Sequence, residues 1–177
     1  GGEVFVDIGG FDGSTSIEFI RRCPDYAGVY LFEPEPTNAS KARAILRNCE
    51  KVQVFELGLG DTQGEIRFSA DGSTSGMNSS GGITVQIDTL DNILNDTANH
   101  DISFIKMDIE GAESMAIEGA TQTILRHHPK LAICVYHKLA DMRTIPEQIL
   151  RIRDDYDIYL RHYTEGVVET VMFFVPR

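Results

Sequence analysis

Cysteine is scarce and scattered. Cys23, Cys49 and Cys134 are odd in number, far apart and without a Cys-x-x-Cys pair, which argues against a disulfide framework or a zinc knuckle and fits a reducing, cytoplasmic compartment. Basic charge is short as well: 16 Lys and Arg stand against 27 Asp and Glu, for a formal net charge of −11. With a pI near 4.8, a polyanion would meet net repulsion, so nucleic acid and anionic membrane are disfavoured as partners. No apolar run approaches the ~18 residues of a membrane span, and the N-terminus lacks the charged, apolar and small-residue order of a signal peptide. There is no initiator Met and the opening residues already read as a strand, so a further segment upstream is expected. Internal repeats are lacking too, which argues against a solenoid.

What is present suits one domain. A chain of 177 residues with 42% hydrophobic residues has enough apolar surface for a single core spanning 1–177. Glu3 to Ile8 is an apolar run stopped by glycines, and Ser14 to Arg22 follows with helical spacing of Ile17 and Ile20. The pattern recurs in Gly28 to Glu33, then Thr37 to Asn48 with Thr37 or Asn38 as cap, and a third strand runs from Val52 to Leu57. Two short alternating runs, Glu65 to Ser69 and Ile83 to Ile87, flank the Gly- and Ser-rich stretch Asp71 to Gly82, a candidate lid. A short helix over Thr89 to Leu94 leads to a strand over Ile102 to Asp108, and an amphipathic helix over Glu113 to His127 precedes a strand over Leu131 to Tyr136. Pro146 is expected near the first turn of the next helix. Tyr156 to Tyr163 and Val168 to Val175, joined through Glu165-Gly166, predict an antiparallel final pair.

Strands alternating with helices imply a doubly wound α/β sheet covered on both faces, with ligands at the carboxyl ends of the strands. Chemistry is therefore sought in the residues that follow each strand. The first loop, Asp7-Ile8-Gly9-Gly10-Phe11-Asp12-Gly13, lets backbone approach a ligand at a helix N-terminus. No Lys follows Gly13, which disfavours a phosphate loop, and Phe11 and Ser14 occupy the positions of the second and third glycines of a dinucleotide fingerprint. Asp7 before the loop suits a cation such as the amino group of an amino-acid cofactor. Glu33 ends the second strand about 20 residues past Gly13, the spacing at which a carboxylate reaches a ribose diol. Asp108 and Glu110 follow the fourth strand, Glu113 is expected to be a helix-terminus charge, and His137 follows the fifth strand. His162 is a second histidine able to reach that edge, whereas His127 and His128 end a helix and His100 lies in a loop.

Three blocks, VDIGGFDGSTS (Val6 to Ser16), LFEPEP (Leu31 to Pro36) and FIKMDIEGAESMAIEGA (Phe104 to Ala120), resemble the FkbM-type methyltransferases of the class I S-adenosylmethionine-dependent fold. The likeness covers nearly the whole chain, and its closing part looks like a bacterial branch with a Tyr-His pair after the fifth strand. It implies a seven-stranded Rossmann-like sheet of order 3-2-1-4-5-7-6 with the last inserted strand antiparallel and a small hairpin insertion. It also implies S-adenosylmethionine as cofactor. Asp7, Gly9, Gly10 and Gly13 would then cradle its amino-acid moiety, with Phe11 in the same loop. Glu33 would bind the ribose, and adenine would pack beside Phe32, Pro34 and the turn from Leu57 to Asp61, while Asp108 borders both cofactor and acceptor.

The resulting expectation is methyl transfer to a hydroxyl of a sugar or other polar metabolite. His137 is expected as general base, with Asp108 orienting the acceptor or the base and Glu110 beside them. A less favoured variant has Asp108, Glu110 and His137 sharing Mg²⁺ or Mn²⁺. Rival readings are a non-catalytic binding module on the same fold and an NAD-dependent oxidoreductase. No exposed heptad or long apolar helix demands an oligomeric partner.

Overall fold

Alternation of apolar side chains along the strands decides what each face of the sheet can hold. The computed structural model describes residues 2–69, 82–94, 101–166 and 168–177. The stretch from Asp71, apart from Gly82, and His100 lie outside the described residues. Seven strands form the main sheet in the order β3-β2-β1-β7-β8-β10-β9. They are β1 (Val4–Ile8), β2 (Gly28–Phe32), β3 (Val52–Phe55), β7 (Phe104–Met107), β8 (Lys130–Cys134), β9 (Tyr156–His162) and β10 (Thr170–Pro176). The first five are parallel, while β10 runs antiparallel to both β8 and β9. Without the insertion described below, this is the expected order 3-2-1-4-5-7-6.

Even-numbered Val4, Val6 and Ile8 of β1 face one side and Phe5 the other. On the Phe5 side lie α1 (Ser14–Arg22) and α2 (Pro36–Leu46), packed through Phe19, Ile20, Ala42 and Leu46. On the opposite side lie α3 (Leu90–Leu94), α4 (Glu113–Glu118), α5 (Thr121–His127) and α6 (Asp141–Ile152), which bury Leu90, Ile117, Ile124, Ile145 and Ile149. Burial of apolar area on both faces of a parallel sheet makes its central strands continuous apolar runs. Asp7 and Lys106 interrupt those runs, and Lys130 opens β8 as an exposed charge. Among the described residues no helix is long and apolar enough to cross a membrane.

Several boundaries differ from the sequence reading for local reasons. The expected hairpin is a three-stranded sheet of order β4-β6-β5, because β4 (Gly58–Leu59) pairs parallel with β6 (Gly82–Asp88), which also pairs with β5 (Gly64–Ser69). Helix α2 is capped by Glu35, not by Thr37 or Asn38: its carboxylate accepts from the backbone N–H of both, and Pro36 takes the first turn, where its missing N–H costs nothing. The single helix expected from Glu113 to His127 is two. Gly119 approaches Gly60 so closely that a Cβ would lie 2.0 Å from the Gly60 carbonyl oxygen. Asp91 then caps the second piece by accepting from Gln122 N, Thr123 N and Thr123 Oγ1. Pro146 sits inside α6 rather than in its first turn, since Asp141 already starts the helix.

Candidate active site

The β1–α1 loop is built by backbone needs before any ligand is considered. Gly9 and Gly10 both donate their N–H groups to the Phe32 carbonyl, at 3.0 and 3.1 Å. Gly9 has φ +75°, and a Cβ there would lie 1.9 Å from the Asp108 carbonyl oxygen, while one on Gly10 would lie 2.3 Å from Leu31 Cγ. The glycines thus let the loop nest against the ends of β2 and β7. Asp7 lies behind this loop with its side chain fully buried. Ser16 Oγ donates to its Oδ2 at 2.7 Å, and Lys106 Nζ stands 3.2 Å from Oδ1. Asp7 and Lys106 are register partners on adjacent strands. Lys106 Nζ also donates to the Gly9 carbonyl at 2.7 Å, so the cation beside Asp7 is supplied by the chain.

A half-open cavity of about 970 Å³ runs along the carboxyl ends of the strands. At one end Glu33 is nearly buried, and its two oxygens accept from Phe11 N at 2.9 Å and Glu35 N at 3.0 Å. Burial pushes the Glu33 carboxyl above its ordinary value, against the opposing pull of those two bonds. Pro34 and Val85 form an apolar wall beside it, and Ser14 and Thr15 bring the first turn of α1 to the opening. Lys106, Asp108, Ile109 and Glu110 line the middle. The far end is apolar at Ala132, Val171 and Phe173, with Tyr163 and Glu169 at the rim.

Behind Asp108 lies a charge cluster. His137, whose side chain is 7% exposed, places Nδ1 2.8 Å from Glu113 Oε1, and Nε2 3.5 Å from both Asp108 Oδ1 and Glu110 Oε2. Tyr136 Oη donates to Asp108 Oδ1 at 3.3 Å, and both burial and the Asp108 charge push that phenol up. Burial disfavours the His137 imidazolium, but the hydrogen bond to Glu113 and the charges of Glu113, Glu110 and Asp108 outweigh it, so its pKa is raised. Burial likewise opposes charge on Glu113, yet bonds from His137 and Ile109 N hold its carboxyl below the ordinary value. His137 does not line the cavity, which moves the role of base away from it.

The pair has a consequence for stability. The His137 share is complete below its unfolded value of 6.5 and is lost as pH rises through the raised folded value. The Glu113 share is complete above its unfolded value of 4.5 and is lost as pH falls through the lowered folded value. The Tm difference between the wild type and His137→Asn is therefore expected to be widest between those two unfolded values and to narrow above pH 6.5. A gap independent of pH in thermal melts would contradict the pairing.

Of the residues singled out from the sequence, Gly9, Gly10, Phe11, Glu33, Pro34, Asp108 and Glu110 line the cavity, and Asp7, Gly13, Phe32 and His137 do not. Phe32 is packed in the core, stacked on Phe55 at 4.7 Å between ring centroids. Val85 lines the cavity together with Pro34, and Gly58 of the turn from Leu57 to Asp61 lies next to Pro34, where an added Cβ would be 3.7 Å from Pro34 Cβ. His162 is exposed, with Nδ1 2.8 Å from Thr170 Oγ1, while its neighbour Tyr163 reaches the cavity. Glu113 is in the first turn of α4 as expected, but its side chain is 1% exposed and paired with His137. Among the described residues, the one group of three or more His, Cys, Asp and Glu whose ligand atoms all lie within 4.8 Å of one another is Asp108, Glu113 and His137, a set from which Glu110 is missing. Lys106 went unrecognised in the sequence, and so did the pairing of Glu113 with His137. A charge inside an otherwise apolar strand was the available signal for Lys106.

Residues 7–163 match the family described as Methyltransferase FkbM domain. The chain is 28% identical over 145 residues to the 2-O-methyltransferase NoeI of Sinorhizobium fredii (strain NBRC 101917 / NGR234), covering 70% of this chain and 59% of that protein. Its fold superposes on the methyltransferase FkbM of Methylobacillus flagellatus KT with a TM-score of 0.81 and 30% identity, over 98% of this chain and 44% of that one. Aeropyrum pernix fibrillarin, a structure with natively bound S-adenosyl-L-methionine, shares the fold alone, at a TM-score of 0.60 and 11% identity over 99% of this chain and 66% of that one. The chain thus spans 59% and 44% of the lengths of its two nearer relatives here. With the doubly wound sheet, the glycine loop and the strand-ending carboxylates in place, the chain belongs to the FkbM methyltransferase family.

Proposed function

We propose that this chain transfers a methyl group from S-adenosylmethionine to a hydroxyl oxygen of a sugar or other polar metabolite. The observation that carries the reading is one continuous cavity with the Glu33 carboxylate at one end and the Asp108 carboxylate in its middle. Each Glu33 oxygen already accepts one backbone N–H and keeps lone-pair capacity, so the carboxylate is pre-oriented to accept from a ribose diol. Pro34 and Val85 offer an apolar wall for the adenine, and Gly9 and Gly10 leave room for the amino-acid part. Lys106 serves the carboxylate of that part, while Asp7 acts through Lys106. Fibrillarin's bound cofactor and NoeI's description as a 2-O-methyltransferase support the same reading.

When bound, S-adenosylmethionine supplies a methyl that is already electrophilic: the acceptor oxygen forms the new O–C bond, the C–S electron pair stays on sulfur, and the hydroxyl proton goes to a base. Asp108 is that base, because it lines the cavity and His137 does not. The far end, apolar at Val171 and Phe173 and polar at Tyr163 and Glu169, matches an acceptor with a ring to stack and hydroxyls to bond. A net charge of −11 favours a small-molecule or saccharide acceptor over nucleic acid. The cheapest test is calorimetric titration with S-adenosylmethionine, S-adenosylhomocysteine and NADH. Binding of the first two and not of the third is expected. Folded protein that binds NADH alone, or none of them, would defeat the cofactor assignment.

A further inference from the structure

Glu113 contributes nothing to the cavity wall, yet it joins the two loops that form the middle of the site. Its Oε1 accepts from Ile109 N at 3.0 Å in the loop after β7, and lies 2.8 Å from His137 Nδ1 in the segment after β8. In the first loop the backbone takes positive φ at Glu110 (+55°) and Gly111 (+93°). Lys138 Nζ donates to the Gly111 carbonyl and its backbone N–H donates to buried Asp141 at 3.1 Å. The titratable neighbours of His137 on every side are thus Asp108, Glu110, Glu113, Tyr136, Lys138 and Asp141.

An imidazole has two nitrogens, and a bond at one dictates what the other can face. With Nδ1 turned to Glu113, Nε2 points between Asp108 Oδ1 and Glu110 Oε2. At 3.5 Å from each, Nε2 acts on them as a charge rather than as a short hydrogen bond to either. We propose that Glu113 is the positioning residue of this site: its buried carboxylate, 2.8 Å from Nδ1, anchors the imidazole as an ion pair so that Nε2 is turned to Asp108 and Glu110, and so holds the Asp108 carboxylate facing the cavity. Only the link from Asp108 to the acceptor rests on the methyl-transfer reading; the aim of His137 stands or falls without it.

The test uses ¹⁵N-labelled full chain without acceptor, with the histidine ring nitrogens followed by NMR across pH 5 to 9. In the wild type, His137 Nδ1 is expected to carry a proton throughout, with a titration midpoint above 6.5. In Glu113→Gln the midpoint is expected to fall, because burial then acts against fewer opposing charges. Glu113→Asp should recover part of the shift, and backbone amide resonances away from the cluster should stay in place, reporting an intact fold. An unchanged His137 midpoint in Glu113→Gln would overturn the proposal. So would a wild-type His137 protonated only on Nε2, a result that stands even where the variant does not fold. Stoichiometric perturbation of the His137 ring by added Mg²⁺ or Mn²⁺ would also overturn it, by making the cluster an ion site. Wild-type titration with S-adenosylmethionine runs in parallel, so loss of the methyl-transfer reading is seen separately.

Discussion

Glu33→Ala is expected to weaken S-adenosylmethionine binding by about 100-fold or more. Hydrogen bonds to a charged group are worth roughly 1.5–3 kcal/mol each, so two ribose hydroxyls on one carboxylate supply about that factor. The same substitution also removes the acceptors of Phe11 N and Glu35 N, which loosens the rim of the cavity. Glu33→Gln separates the two effects, since a carboxamide oxygen can still take one of these backbone bonds. Because burial raises the Glu33 pKa, wild-type affinity should decline on acidification sooner than an ordinary carboxylate would dictate. Calorimetry of the three proteins over pH 5 to 8 checks this. Affinity in Glu33→Ala within threefold of the wild type would remove Glu33 from the cofactor site.

Gly9→Ala is expected to cost about 3–5 kcal/mol of stability, combining positive-φ strain with overpacking. At φ +75° and with a Cβ 1.9 Å from the Asp108 carbonyl oxygen, the added methyl meets backbone that has no rotamer to yield. Relief would require the β1–α1 loop to move from the end of β7, carrying the Lys106 bond to the Gly9 carbonyl with it. Urea denaturation and cofactor titration should therefore fail together. A variant with wild-type stability would mean that the loop is not nested against Asp108 as described.

The doubly wound class was legible because apolar runs alternated with helical periodicity, whereas the strand order came from the resemblance of three sequence blocks to the FkbM-type methyltransferases. Boundaries set by contacts distant in sequence were not legible. The break between α4 and α5 depends on Gly60 approaching Gly119, and β4 exists only because β6 lies beside it. Glu35 as the cap of α2 was within reach of the sequence, since Pro36 follows it directly.

The candidate site divides along the same line. Glycines and carboxylates directly after β1, β2 and β7 could be named from the chain, because a parallel sheet brings its strand ends to one edge. Which of them face the cavity was decided by side-chain direction and neighbouring charge. Asp7 turns to Lys106 and Ser16, and Phe32 turns into the core against Phe55. Glu113 and His137 meet across 24 residues of chain, close enough to exchange a proton preference. Sequence by itself determined the doubly wound class and the edge where its chemistry gathers, since both follow from local periodicity and chain connectivity, while the family was carried by its motif blocks. Tertiary structure alone decided which charges pair and which carboxylate remains open to a ligand, because burial and distances of a few ångströms govern electrostatic energy and neither is written along the chain.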